Sequence, residues 1–197
     1  MNVDAITVSI ASIPPRGATL LPRAIASVGA QWRSAAAISV AVDVDREGAP
    51  PTKQRALDAV RTPWVAFLDD DDEFLPNHLK ELLARALDAG ADYVYSMYWI
   101  AVGPGQLVED YVFPTDHWMK PWDDENPVET TSTILCRTEL AQEVGFQRLE
   151  DRTANTGEDW RFVNGIVAAG GKIVNLPEKT WLWHHDSLNT SGLPTRW

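Results

Sequence analysis

The stretch Thr62-Pro63-Trp64-Val65-Ala66-Phe67-Leu68-Asp69-Asp70-Asp71-Asp72-Glu73 constrains this chain more than any other. Five apolar residues end abruptly in five acids, and Phe74-Leu75-Pro76-Asn77-His78-Leu79 then opens a helical pattern. A short apolar run bounded by turn signals reads as a fully buried strand. In an open α/β sheet, ligands collect beyond the carboxyl ends of such strands. Five adjacent carboxylates repel one another, so a fold that gathers them there implies a cation close by. Most charge runs are solvated turns. The register argues against that here, because the acids stand at the tip of a buried strand and not in a linker.

The rest of the chain supplies a frame for that strand. Ala5 to Ile13 reads as a first strand, with Ile6, Val8 and Ile10 alternating, and Pro14-Pro15-Arg16-Gly17 breaks it. Leu21, Ile25, Val28 and Trp32 follow on one helical face. Ile38 to Val44 reads as a second strand with Asp43 and Asp45 at its end. After the loop Asp45 to Pro51, Thr52 is placed to cap a short helix from Lys53 to Val60. Strand, helix, strand, helix, strand at this spacing predicts right-handed βαβ units and a parallel sheet. Asn77 is an N-cap candidate for a helix carrying Leu79, Leu82, Leu83, Ala86 and Leu87, which stops at Gly90. Further on, Tyr93 to Ile100 and Gln106 to Phe113 read as a hairpin around Gly103-Pro104-Gly105. Glu129 to Cys136 returns to the sheet, Thr138 to Val144 is a short helix closed by Gly145, and a helix runs from Gly157 to Ala169. Lys172 to Leu176 and Thr180 to His184 read as two more short strands. The expected organisation is a single domain over 1–197, with a nucleotide-binding-like first half at 1–95 and a more variable second half at 96–197 that presents the second substrate.

Composition narrows the function classes. With 28 acids against 17 bases the net charge is −11, which argues against a surface that tracks a nucleic-acid backbone. One cysteine, Cys136, excludes an internal disulfide and a cysteine-based zinc cluster, and its apolar neighbours mark it as a buried structural thiol. No basic-then-apolar leader and no run of membrane-spanning length is present, so a cytoplasmic protein is expected. Nine tryptophans exceed what a core of this size needs, and such residues often line sugar sites.

Four segments then fall in a recognisable order: Val8-Ser9-Ile10-Ala11-Ser12-Ile13-Pro14 with Arg16; Ala26-Ser27-Val28 before Gln31; Phe67-Leu68-Asp69-Asp70-Asp71-Asp72; and Gly157-Glu158-Asp159-Trp160. In this the chain resembles the GT-A fold glycosyltransferases, specifically the large family 2 of inverting enzymes. The resemblance covers most of the chain and is densest over 5–80 and 129–191. It departs at Ser12-Ile13-Pro14-Pro15-Arg16, where members usually carry a Thr-Tyr-Asn-Arg type sequence, and at Lys53-Gln54-Arg55, where an Arg-Asn pair is usual. The implied fold is α/β, GT-A, with a mostly parallel central sheet flanked by helices. The implied activity is metal-dependent, inverting transfer of a sugar from a nucleoside-diphosphate donor (a UDP- or GDP-sugar) to an acceptor hydroxyl.

The resemblance assigns roles residue by residue. A D-x-D pattern would hold a divalent cation, Mn²⁺ or Mg²⁺, that neutralises the diphosphate. Asp69-Asp70-Asp71 fits, with Asp69 toward the ribose and Asp71 on the metal, and Asp70-Asp71-Asp72 fits equally. An imidazole ligand would come from His184, which matches the family's His-x-x-Ser-Leu pattern, or from His185. His78 and His117 are read as structural or surface groups. The nucleotide base would lie against Ala11, Ser12 and Ile13, with Asp43, Arg16, Lys53 and Arg55 as base, ribose or phosphate contacts. Inversion needs one carboxylate opposite the leaving group. Asp159 takes that role, Glu158 orients the sugar or helix, and Trp160 walls the sugar pocket. Two acids in a helix's first turn also simply favour its dipole. Trp118, Trp122 and Glu129 to Ser132 are acceptor-contact candidates. Two other readings compete. One is a sugar nucleotidyltransferase of similar fold, against which no Gly-rich loop with a basic residue follows the first strand. The other is a non-enzymatic, cation-dependent sugar-binding module.

Overall fold

A computed structural model describes residues 2–103, 105–108, 119–131, 133–146 and 157–184. In chain order its elements are β1 (Ile6–Ser12), α1 (Pro14–Gly17), α2 (Leu21–Gly29), β2 (Ala37–Val42), α3 (Ala49–Asp58), β3 (Trp64–Asp69), β4 (Glu73–Phe74), α4 (His78–Ala89), β5 (Tyr93–Gly103), β6 (Gln106–Val108), β7 (Ile134–Arg137), α5 (Thr138–Val144), α6 (Glu158–Ala168) and β8 (Ile173–His184). The strands form one sheet in the order β2-β1-β3-β7-β5-β8-β4, with β6 paired to β5. β1, β2, β3, β5 and β8 run one way, and β7 is antiparallel to both of its neighbours, β3 and β5. The α/β class and GT-A type of layout predicted from the sequence are therefore present.

The apolar run of β3 is buried from Trp64 through Leu68, which requires cover on both faces. On one face α3, α5 and α6 pack together. Phe162 of α6 stacks on Phe146 at 4.5 Å between centroids, and both meet Phe67 of β3 edge-on. Helix α4 lies against β5, β7 and β8. Cys136 is buried and free, as its apolar run implied. Because β1 pairs with β3 at Ala11↔Asp69 and with β2 at Ser12↔Val42, three parallel strands finish together, and the acidic run leaves the sheet at that edge.

Four local expectations differ from the structure. Trp32 does not continue the buried face of α2. That helix stops at Gly29, Gln31 turns its side chain to Leu75 O at 2.8 Å and accepts from Leu79 N, and the Trp32 ring is 70% exposed. Thr52 does not cap α3, which starts three residues earlier. Pro50 and Pro51 fit the first turn, where a missing N–H costs nothing, and the Thr52 hydroxyl instead donates to Gly48 O at 2.9 Å. Asn77 flanks α4 without a side-chain cap bond. The two C-terminal strands are one, β8. Ser96 pairs with Leu176 and Met97 with Lys179, so Pro177 and Glu178 bulge out where proline's lack of an N–H breaks no ladder bond. The helix ends at Gly90 (φ +59°) and Gly145 (φ +63°) fall where the sequence placed them. Of the predicted hairpin, 106–108 pairs with β5, and 109–113 lies outside the described residues.

Gly165, inside α6, tests how tightly this packing is drawn. A Cβ there would sit 2.4 Å from Val144 Cγ1. Glycine to alanine in a helix ordinarily stabilises by about 1 kcal/mol. Gly165→Ala is expected instead to destabilise by about 1–3 kcal/mol in urea unfolding, with Val144→Ala relieving the clash in the double variant. A gain in stability would contradict the close α5–α6 contact.

Candidate functional site

The acidic run turns back on itself just past β3, with Asp72 N bonded to Asp69 O at 3.1 Å, so its carboxylates fan in different directions. Asp70 points inward. It accepts from the Ser12 hydroxyl at 2.7 Å and from Arg16 Nη1 at 2.6 Å. Asp71 lies 3.0 Å from the same guanidinium nitrogen. Asp72 is buried and accepts the backbone N–H of His184 at 2.9 Å. Asp69 remains the most open of the four and reaches Lys53 Nζ at 3.4 Å.

These surroundings set the ionisation of each group. Burial pushes the Asp71 carboxyl up to about 7, with Asp69 and Asp70 adding to the rise and Arg16 opposing it. Asp72 is held well above the usual carboxylate range by burial and by Asp71 and Asp69. Asp70 is raised by burial, and its bonds from Ser12 and Arg16 hold the rise back.

Near this turn, Gly157 leads into α6, and the helix's first turn presents Glu158 and Asp159. Both meet Lys53 of α3: Nζ is 3.0 Å from Glu158 Oε1 and 3.1 Å from Asp159 Oδ1. One buried ammonium therefore contacts three carboxylates from two elements. Burial draws Lys53 down, but Asp159, Asp69 and Glu158 outweigh it and leave the ammonium well above its ordinary value. Asp159 is raised by desolvation to about 7, against the pull of Lys53. Glu158 is lowered, chiefly by Lys53. Trp160 packs half-buried against the core beside this pair.

The other predicted site residues divide into those near the β3 tip and those elsewhere. Ala11, Ser12 and Ile13 lie at the strand ends, as their register requires. Asp43 is buried and accepts the N–H groups of Glu47 and Gly48 at 2.9 and 2.8 Å, so its carboxylate shapes its own loop. Arg55 pairs on the exposed side with Glu47. His184 turns Nε2 to Glu73 Oε1 at 2.7 Å. His78 is buried, bonded to the Thr180 hydroxyl at 2.7 Å and lowered by burial to about 3, a neutral core histidine. Thr130 is likewise core, bonded to the Tyr93 hydroxyl at 2.6 Å. Trp122 Nε1 donates to Asp124 at 2.7 Å. His185, His117, Trp118 and Ser132 lie outside the described residues.

Sequence reasoning missed Arg23 and Glu73. Arg23 of α2 donates to Asp71 O at 2.6 Å and lies 3.3 Å from Glu73 Oε1, so it braces the acidic turn from behind. The signal was present: Arg16 and Arg23 are the only basic residues before residue 31, both on the stretch that follows β1.

For a divalent cation the test is chemical. Asp69 and Asp71 form a crowded pair of oxygen donors whose mutual repulsion a hard cation would relieve, which suits Mg²⁺ or Mn²⁺. The His184 imidazole is turned to Glu73, and among the described residues no three His, Cys, Asp or Glu side chains are arranged as a metal site. A cavity of about 800 Å³ lies at the opposite end of the sheet, between Thr62, Pro63, Arg137 and Gly170. It carries none of the clustered acids.

Comparison with known proteins bears on this arrangement. The family model described as glycosyl transferase family 2 matches residues 38–145, more than half of the chain. No curated protein matches the chain by sequence. Among solved structures, S. aureus TarS 1–349 in complex with UDP superposes with a TM-score of 0.68 at 15% identity, covering 91% of this chain and 60% of that one. TarS 1–349 in complex with UDP-GlcNAc gives 0.68 and 15%, covering 91% and 58%. A longer TarS structure gives 0.69 and 14%, covering 91% and 36%. The chain thus spans three fifths or less of the TarS chains it matches, and at these identities the likeness establishes the fold.

Asp43 yields the test of this geometry. Asp43→Ala leaves two amide donors without their acceptor and is expected to lower unfolding free energy by about 1–3 kcal/mol. Unchanged stability with lost nucleotide binding would make Asp43 a ligand contact and not a loop brace.

Proposed function

The chain belongs to glycosyl transferase family 2, and from that premise we propose that it transfers a sugar, with inversion, from a nucleoside-diphosphate donor to an acceptor hydroxyl. The observation that carries the proposal is the meeting of two acidic groups at one lysine, Asp69 of the β3 tip on one side and Asp159 of α6 on the other, at 3.4 and 3.1 Å from Lys53 Nζ. A hydrolase would need an acid and a base flanking the scissile bond. A transferase with a charged leaving group needs one base and a means of holding a diphosphate, and in this reading Asp159 is the first and the β3 tip with Arg16 the second.

In this reading the nucleoside lies along the strand ends at Ala11, Ser12 and Ile13, with Asp69 toward the ribose. The TarS complexes with UDP and UDP-GlcNAc favour a uridine donor over a guanosine one. Asp71, with Asp69 beside it, would hold Mn²⁺ or Mg²⁺, and His184 or His185 would complete the set. When bound, the cation neutralises charge on the departing nucleoside diphosphate. Arg16, 3.0 Å from Asp71, supplies fixed positive charge beside the same position. Asp159 Oδ takes the proton of the acceptor hydroxyl as that oxygen bonds to the anomeric carbon and the bond to the phosphate oxygen breaks. Glu158, kept ionised by Lys53, is available to a sugar hydroxyl, and Trp160 offers an apolar wall. No helix among the described residues is long and apolar enough to cross a membrane. The acceptor is a hydroxyl compound reached from the side of the cleft where α6 begins.

Two measurements test this reading. Purified protein incubated with a panel of UDP- and GDP-sugars and Mn²⁺ is expected to release nucleoside diphosphate from at least one donor, and Asp159→Asn to lower that rate by about 10²–10⁴-fold while UDP still binds. Near-wild-type transfer by Asp159→Asn would remove Asp159 from the chemistry. Because Asp159 must be ionised to accept a proton and is raised to about 7 in the ligand-free protein, kcat/KM is expected to plateau above that pH and to fall about tenfold per unit below it.

A further inference from the structure

One edge of the sheet is left open. β2 has β1 on one flank and, among the described residues, no ladder partner on the other. Its six residues pair with β1 in unbroken register, so the strand carries no bulge. Ser39 donates its hydroxyl to Ala56 O of α3 at 2.7 Å, which places the odd-numbered side chains under that helix. Ile38, Val40 and Val42 therefore share the opposite face, where they are 37–40% exposed. Their neighbours on β1 in that register, Val8 and Ile10, are fully buried, so the cover on this face stops one strand short of the edge. Proteins commonly protect such an edge with a lysine, a proline or a bulge. Neither lysine nor proline occurs from Ser34 to Val42, and that run has no charged residue at all. Arg55 reaches the strand at its last residue, donating to Val42 O at 3.3 Å, and leaves the rest of the edge clear.

We propose that β2 is the contact strand of a homodimer, pairing antiparallel with β2 of a second copy about a two-fold axis near Val40, so that two sheets run on as one. Three features favour a second copy of this chain as the occupant. The strand is uncharged, so self-pairing sets no like charges opposite each other along the ladder, although the whole chain carries a net charge of −11. The flanks of the strand are complementary. Arg33 stands before it, held at the surface by its bond to Asp4 O, and Asp45, Arg46 and Glu47, together net negative, stand after it. In an antiparallel pair the leading flank of each copy lies against the trailing flank of the other, so the two-fold axis brings Arg33 toward the acids twice. Finally, Ile38, Val40 and Val42 meet their own kind, and β-branched side chains pair favourably across strands. The contact is isologous and closes on itself, so association stops at two copies. A ladder of this length falls at the small end of specific interfaces, below about 1,200 Å² in total, and a dimer held by it forms and dissociates reversibly.

Sedimentation velocity on the purified chain, over about 1–200 μM, tests this. The wild-type protein is expected to pass from monomer toward dimer as concentration rises. Val40→Lys sets two ammonium groups against each other at the axis and is expected to weaken association about tenfold or more. Its far-UV circular dichroism and thermal midpoint are expected to stay close to wild type, because position 40 already lies partly in water. A wild-type monomer at every concentration overturns the proposal and leaves the edge to a strand from a different chain. A dimer that Val40→Lys leaves intact also overturns it, by placing the contact elsewhere. Should Val40→Lys not fold, the near-isosteric Val40→Cys gives an independent reading. Under mild oxidation it is expected to form a disulfide-linked dimer, whereas Val167→Cys on α6, at the same 40% exposure, is not. The native Cys136 is buried and does not compete. No linked dimer through position 40, or equal linking at both positions, overturns the proposal.

Discussion

Five carboxylates in sequence at the end of one strand must be held apart or neutralised, and much of the first half of the fold is arranged around doing so. Arg16 from α1 takes Asp70 and Asp71, Arg23 from α2 takes the Asp71 carbonyl and faces Glu73, and Lys53 from α3 takes Asp69. Three helical elements are thereby tied to one strand tip by charge. Attraction of about 4 kcal/mol per close pair at an effective dielectric near 20 is set against a desolvation cost of several kcal/mol per ion. The cluster is thus a poor source of stability. What it supplies is arrangement: Arg16 holds Asp70 and Asp71, the His184 N–H holds Asp72, and Lys53 holds Asp69, the most exposed of the four.

The second half of the chain answers that arrangement. β7 enters antiparallel between β3 and β5 and pairs with β3 only over Trp64 to Ala66, so the sheet continues past the acidic strand without a ladder reaching its tip. Helix α6 then packs its Phe162 on Phe67 and Phe146, which brings its first turn, with Glu158 and Asp159, to Lys53. The aromatic packing fixes the helix, and the helix start fixes Glu158 and Asp159 beside Lys53. Membership of glycosyl transferase family 2 makes sugar transfer the class of reaction this geometry is proposed to serve.

Most of the frame was legible in the sequence because it rests on local signals. The buried run of β3, the glycines closing α4 and α5, and the amphipathic face of α4 each carry their own pattern. What escaped depends on contacts between distant residues. Trp32 continues the α2 spacing, but Gln31 draws the chain toward Leu75, 44 positions away, and ends the helix first. Pro177 reads as a strand break, yet a bulge opposite Ser96 and Met97 absorbs it. At the site, Asp70, Asp71 and Asp159 were recognisable by residue type and order. Lys53 was legible as a basic group near a strand end but not as the partner of an acid 106 positions later. Nothing local in Lys53-Gln54-Arg55 distinguishes the buried lysine from the exposed arginine. Their difference comes from where α6 lands.

The account stands on the nucleotide diphosphate lying at the β3 tip, with Asp159 facing it from across the cleft. A crystal structure with UDP and Mn²⁺ tests that directly. The expected result is a diphosphate bridged by the cation to Asp71, with the nucleoside along Ser12 and Ile13 and Asp159 facing the β-phosphate side across an open gap. UDP bound in the cavity between Thr62, Arg137 and Gly170, or a cation held without Asp69 to Asp72, would contradict it.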